Sequence, residues 1–89
     1  MEIKGINAIE EILKRNKGED AIISISHKLY GNQKLKLKLD CIVDENRIGV
    51  RVKNGQEIFV YKNEMIDCGI KDGIYIADDL MKISIKLNR

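Results

Sequence analysis

Arg47-Ile48-Gly49-Val50-Arg51-Val52-Lys53-Asn54-Gly55-Gln56-Glu57-Ile58-Phe59-Val60-Tyr61 is the stretch on which the fold turns. From Arg47 to Lys53 the side chains alternate, which points Ile48, Val50 and Val52 to one face of a strand. Asn54-Gly55 follows at once. That dipeptide accepts the positive φ angles of a tight hairpin turn, so Glu57–Tyr61 reads as the returning strand.

Upstream the same period recurs. Leu35, Leu37 and Leu39 share one face of residues 34–39, and Lys34, Lys36 and Lys38 share the other. Continuing the register would add Cys41 and Val43 to the apolar face. Residues 21–26 form a β-branched run through Ile22, Ile23 and Ile25. Downstream, 73–77 brings Ile74 and Ile76 together, and 82–87 brings Ile83, Ile85 and Leu87 together. Lys71-Asp72-Gly73 and Asp78-Asp79 supply turns.

One helix precedes the strands. Asn7 is a candidate N-cap with Glu10 three residues on. Ile9, Ile12 and Leu13 fall on one face. Glu10 and Glu11 can pair with Lys14 and Arg15 at i, i+4, and Gly18 is a left-handed stop. The pattern is a helix followed by five or six short strands. It predicts a mainly β, single-domain chain over residues 1–89, an antiparallel meander curled into a small barrel or strongly bent sheet.

Composition limits the function classes. The 89 residues are 44% hydrophobic and 34% charged, with no proline or tryptophan, which is globular and not disordered. No apolar run approaches the roughly 20 residues of a membrane-spanning helix. Met1-Glu2-Ile3-Lys4 has no apolar signal core, so a cytoplasmic protein with free thiols at Cys41 and Cys68 is expected. No clustered ligand set suggests a metal, and no glycine-rich loop suggests a phosphate cofactor.

Catalytic candidates are few. His27 is the single histidine, and its neighbour Ser26 cannot supply the across-fold geometry of a Ser–His dyad. A satisfied or surface histidine is the plainer reading. Asp78-Asp79 reads as a turn that caps backbone amides. The chain is therefore expected not to be an enzyme and to need no cofactor.

The Lys34, Lys36, Lys38 row is the suggestive charge feature. Alternate side chains on a strand stand about 6.6–7 Å apart, close to the phosphate repeat of an extended single strand. A solvated face that discourages edge-to-edge aggregation is the other reading. The net charge is only +2, and the aromatics are limited to Phe59, Tyr30, Tyr61 and Tyr75, which argues against a broad base-stacking surface.

Residues 48–66, with Lys53-Asn54-Gly55 and Val60-Tyr61-Lys62 at the same relative spacing, resemble the second Sm motif of bacterial Hfq-type proteins. Those proteins have an apolar strand, a Lys-Asn-Gly-type turn, a return strand and a Tyr-Lys-His triplet. Their order is an N-terminal helix followed by a bent five-stranded barrel. The resemblance implies an Sm-like, non-catalytic RNA-binding module that assembles into a homo-oligomeric ring. In the family the triplet lines a pore that binds uridine-rich RNA. Carried over, Lys62 would contact phosphate, Tyr61 would pack or stack, and Asn63, standing where the family has histidine, would read a base edge. Lys34, Lys36 and Lys38 would widen the electrostatic footprint.

This chain departs from the pattern in three ways. The first Sm motif keeps Gly31 but lacks the second glycine. The helix lacks the family's Gln-Asp-type pair. Two extra strand-like stretches follow the matched segment. A small β-rich protein-interaction or structural module with a protein partner and without nucleic-acid binding, of the kind a phage or mobile element carries, is the alternative reading.

Overall fold

A computed structural model describes residues 5–87; Met1–Lys4, read above for a signal core, lie outside them. Helix α1 spans Ile6–Arg15. Eight strands follow: β1 Asp20–His27, β2 Gly31–Lys38, β3 Cys41–Val43, β4 Arg47–Arg51, β5 Glu57–Tyr61, β6 Asp67–Ile70, β7 Ile74–Ala77 and β8 Met81–Leu87. All pairings are antiparallel. One sheet has the order β2-β1-β8-β7-β6, the other β3-β4-β5. The chain is thus mainly β with one N-terminal helix, and the described strands form no closed barrel.

The expected elements recur with few changes. Ile48 and Val50 are fully buried, and Val52 packs against the core. Asn54 (φ 65°) and Gly55 (φ 74°) both take the left-handed region, and the N–H of Val52 donates to the Gln56 carbonyl at 2.8 Å to close the hairpin. Leu39 is buried, Leu35 and Leu37 partly so, and their lysine neighbours point to solvent. Cys41 and Val43 join the same core.

Three expectations need correction. Asn7 does not cap the helix: the cap is Gly5 in a left-handed conformation (φ 87°), whose carbonyl takes the Ile9 N–H at 3.0 Å. Glu11 pairs with Arg15 as expected at 3.9 Å, but Glu10 turns to Lys62 in place of Lys14. The strands are not a simple meander. β8 returns to pair with β1, and β6, with no apolar alternation to announce it, becomes an edge strand.

The sheets meet at a corner. Leu39 continues the β1–β2 ladder: its N–H donates to Glu19 O, and its carbonyl accepts from Gly18 N–H, both at 2.8 Å. Asp40 continues the β3–β4 ladder by accepting from Arg51 N–H at 2.7 Å. One extended run therefore passes from sheet to sheet, as bent strands do at the corners of sandwiches. Ile9 and Leu13 of α1, Ile23 and Ile83 of the larger sheet, and Val50 and Val60 of the smaller one belong to a single core.

The outer face of the small sheet carries a chain of ion pairs. Arg47 contacts Asp44 (2.8 Å) and Glu57 (3.4 Å), and Arg51 contacts Glu57 (2.9 Å) and Asp40 (3.3 Å). The Asn46 backbone N–H, then Arg47, holds Asp44 below the usual carboxylate range. The Arg51 guanidinium, then the Arg47 charge, does the same for Glu57. Depressed carboxyls stabilise the fold above their unfolded pKa and lose that contribution as pH falls through the folded value. Arg51→Ala should therefore lower the melting temperature at neutral pH, and the difference from wild type should vanish in acid below the folded-state values. Thermal melts across the acid range check this.

Candidate nucleic-acid interface

Cross-strand pairing defines what faces outward on the five-stranded sheet, because directly opposed residues share a face. One row runs Lys34, Ser24, Ser84, Tyr75, Gly69 across all five strands. Beside it lie Lys36, Ile22 and Lys86. On its other side lie Asn32, Ser26, Lys82, Ala77 and Asp67. The face therefore carries two lysine columns. Lys34, Lys36 and Lys38 stand on β2, Lys82 and Lys86 on β8, with β1 between them. Strand spacing puts the columns roughly 9–10 Å apart.

These lysines differ in how they are engaged. Lys38 is paired with Asp20 at 2.7 Å, a hydrogen bond that raises its pKa. Lys34, Lys36, Lys82 and Lys86 are exposed and make no ion pair among the described residues. Lys34 of the first column and Lys82 and Lys86 of the second line a trough of about 470 Å³ that extends across β7 to β6. Ser24 and Ser84 lie in it with Tyr75; Lys71, Asp67 and Asp72 line it from the β6–β7 side. The Tyr75 ring rests on β6 where Gly69 leaves room, since a Cβ there would stand 2.6 Å from its hydroxyl oxygen. Lys82 Nζ stands 5.0 Å from the ring centroid. Exposed ammonium groups beside hydroxyls and an aromatic ring suit an extended polyanion that carries planar bases.

The Tyr61-Lys62-Asn63 segment diverges. Tyr61 ends β5, exposed on the outer face of the small sheet, with its ring edge-on to Phe59 at 5.1 Å. Lys62 turns toward α1 and forms an ion pair with Glu10, the two side chains only 24% and 17% exposed. Asn63 is exposed and borders a groove with Ile66 and Leu80. The three side chains do not converge on one surface.

Lys62→Ala should accordingly act on stability. Leaving the largely covered Glu10 carboxylate without its partner should cost about 1–2 kcal/mol, read as a lower denaturation midpoint.

The other sequence candidates take local roles. His27 Nδ1 accepts from the backbone N–H groups of Leu29 (3.0 Å) and Tyr30 (3.3 Å), tying the β1–β2 turn. Asp78 Oδ1 accepts from Leu80 and Met81 N–H (2.9 and 2.8 Å), capping the β7–β8 turn. Neither Cys41 nor Cys68 forms a disulfide among the described residues, and burial pushes the Cys68 thiol up. Among the described residues no group of three or more His, Cys, Asp or Glu side chains could hold a metal ion, and no helix is long and apolar enough to cross a membrane.

Sequence reasoning missed Lys82, Lys86 and Tyr75. The alternation Lys82-Ile83-Ser84-Ile85-Lys86 repeats the pattern of β2 and was there to be read. Its position beside β1 was not, because that depends on a pairing across the length of the chain. Comparison with protein-family models, curated proteins and solved structures finds no significant match to this chain.

Proposed function

We propose that this chain is a non-catalytic, cytoplasmic module that binds single-stranded RNA on the outer face of its five-stranded sheet. The observation that carries the reading is the double lysine column. In a chain of net charge +2, unpaired lysines from two non-adjacent strands collect on one face. Phosphates would lie along the columns, and Ser24, Ser26 and Ser84 offer hydroxyls to the sugar 2′-OH, the group that separates RNA from DNA. Tyr61, Lys62 and Asn63 would then be peripheral, in contrast to the roles implied by the Hfq-type resemblance.

Binding of a short unstructured RNA measured against salt is the test. A log–log slope of about −0.7 per phosphate contact on a single strand predicts about −3 for the four unpaired lysines. No measurable affinity at low salt would overturn the reading.

An Sm-like architecture and ring assembly belong to the same proposal. Helix α1, strand β1, the bent β2–β3 run, β4, β5 and β6 supply a helix and five strands. The β7–β8 hairpin then reads as an insertion between β6 and β1, where a five-stranded barrel would otherwise close. Strands β5 and β6 end the strand order with free edges. Pairing β5 of one copy with β6 of the next is a head-to-tail contact that can close into a ring. Solution mass before and after nuclease treatment should give a multiple of 10.2 kDa; a monomer would remove the assembly claim alone.

One observation favours a protein-interaction module as second reading. Leu29 and Tyr30 at the β1–β2 turn are 71% and 85% exposed. The Lys28 N–H donates to the carbonyl of Leu80, itself exposed, at 2.9 Å. Exposed apolar clusters of this kind mark contact surfaces. Leu29→Ser with Tyr30→Ser would leave RNA binding intact and abolish capture of a protein partner.

A further inference from the structure

We propose that the trough beside Tyr75 holds one nucleotide of the bound RNA and favours cytosine and adenine, which carry an amino group where uracil carries O4, over uracil. This rests on the RNA-binding reading above and adds a base preference to it.

Size comes first. The trough of about 470 Å³ is wide enough for a single nucleotide unit and is lined by residues of five strands and the β6–β7 turn. Tyr75 supplies the planar floor. Its ring is held against β6 because Gly69 has no Cβ, so the platform is braced from below. Lys82 Nζ occupies the neighbourhood of the ring at 5.0 Å in the free protein. A stacked base would take that place, and the flexible ammonium would swing to a flanking phosphate. Stacking on an aromatic ring is tolerant of sequence, so Tyr75 gives affinity without choosing a base.

The choice comes from Asp67 and Asp72. Both line the trough, both are exposed, and neither forms an ion pair among the described residues. Ionised carboxylates only accept hydrogen bonds. Cytosine N4 and adenine N6 each present two N–H donors, and Asp or Glu facing the cytosine amino group is an established pairing. Uracil presents a carbonyl oxygen at the corresponding position, so a carboxylate there meets a second acceptor. The lysines do not rescue uracil, because the phosphates on either side compete for them with full negative charge.

Fluorescence competition among (C)6, (A)6 and (U)6 RNA tests the idea on the full chain. Oligo-C and oligo-A should bind at least about fivefold tighter than oligo-U, the lower end of what one base contact discriminates. The double variant Asp67→Asn, Asp72→Asn should bring the three affinities within about twofold of one another, since an amide both donates and accepts. Asn at position 72 tolerates the left-handed backbone there (φ 53°), and melting temperatures confirm that the variant folds. Tyr75→Ala should weaken all three RNAs alike. Equal or tighter binding of oligo-U by the wild type would overturn the base preference while leaving RNA binding standing. Failure of all three to bind at low salt would instead sink the RNA-binding reading.

Discussion

Gly49→Ala is expected to destabilise the fold by about 3 kcal/mol, at the upper end of what overpacking costs. Gly49 is buried in the middle strand of the small sheet, between Ile42 on β3 and Phe59 on β5. A Cβ added there would stand 2.2 Å from the Ile58 carbonyl oxygen, 2.4 Å from Phe59 Cα and 2.7 Å from Phe59 Cβ. Two of these atoms are backbone, so relief requires moving β5 itself. Moving β5 disturbs Val60, which is fully buried in the core, and the Arg47–Glu57–Arg51 ion pairs. At roughly 4–8 °C per kcal/mol for a domain of this size, the melting temperature should fall by about 12 °C or more.

Two control glycines separate the causes. Gly55→Ala meets nothing within 4 Å and carries only the cost of its left-handed backbone, about 1 kcal/mol. Gly69→Ala meets the Tyr75 side chain, which can swing away, so it should disturb RNA binding more than stability. A Gly49→Ala protein that melts within a few degrees of wild type would mean that the small sheet yields where its backbone contacts say it cannot.

The hairpin that contains Gly49 was legible from sequence because all its determinants are local. Alternation set the inward face of β4, and Asn54-Gly55 set the turn. The helix was legible in its apolar face and less so in its start, where Asn7 offered a side-chain cap and Gly5 supplied a backbone one. β6 was not legible. Asp67-Cys68-Gly69-Ile70 has no β-branched run, and it is a strand because β7 offers a ladder to pair with. Glu10 shows the same limit at the level of one side chain. Spacing alone pointed it to Lys14, yet the fold delivers Lys62 to the same place. The candidate site followed this division. The β2 lysines could be read from their period, but their partners on β8 needed the β1–β8 pairing, which no local signal encodes.

That pairing carries the last prediction. Replacing Lys34, Lys36, Lys82 and Lys86 together with alanine should lower RNA affinity by about three and a half orders of magnitude at ~50 mM salt. Four lost phosphate contacts at about 0.7 each remove close to 3 from the log–log slope. Referred to ~1 M salt, where the counterion-release contribution vanishes, that slope spans a little over one decade of salt at 50 mM. Each single substitution should then cost about eightfold, on either column. The fold should be unaffected, because all four side chains are exposed and unpaired among the described residues. Lys62→Ala sets the contrast, with lower stability and an unchanged slope. The plainer account of lysines on a strand, protection of a free edge, can apply to β2. It cannot apply to β8, which lies between β1 and β7 with both sides paired. The Lys82→Ala, Lys86→Ala pair alone is therefore the sharpest arm. A drop in slope of about 1.4 would tie the interior column to phosphate, and a slope equal to wild type would reduce this face to a solvated surface.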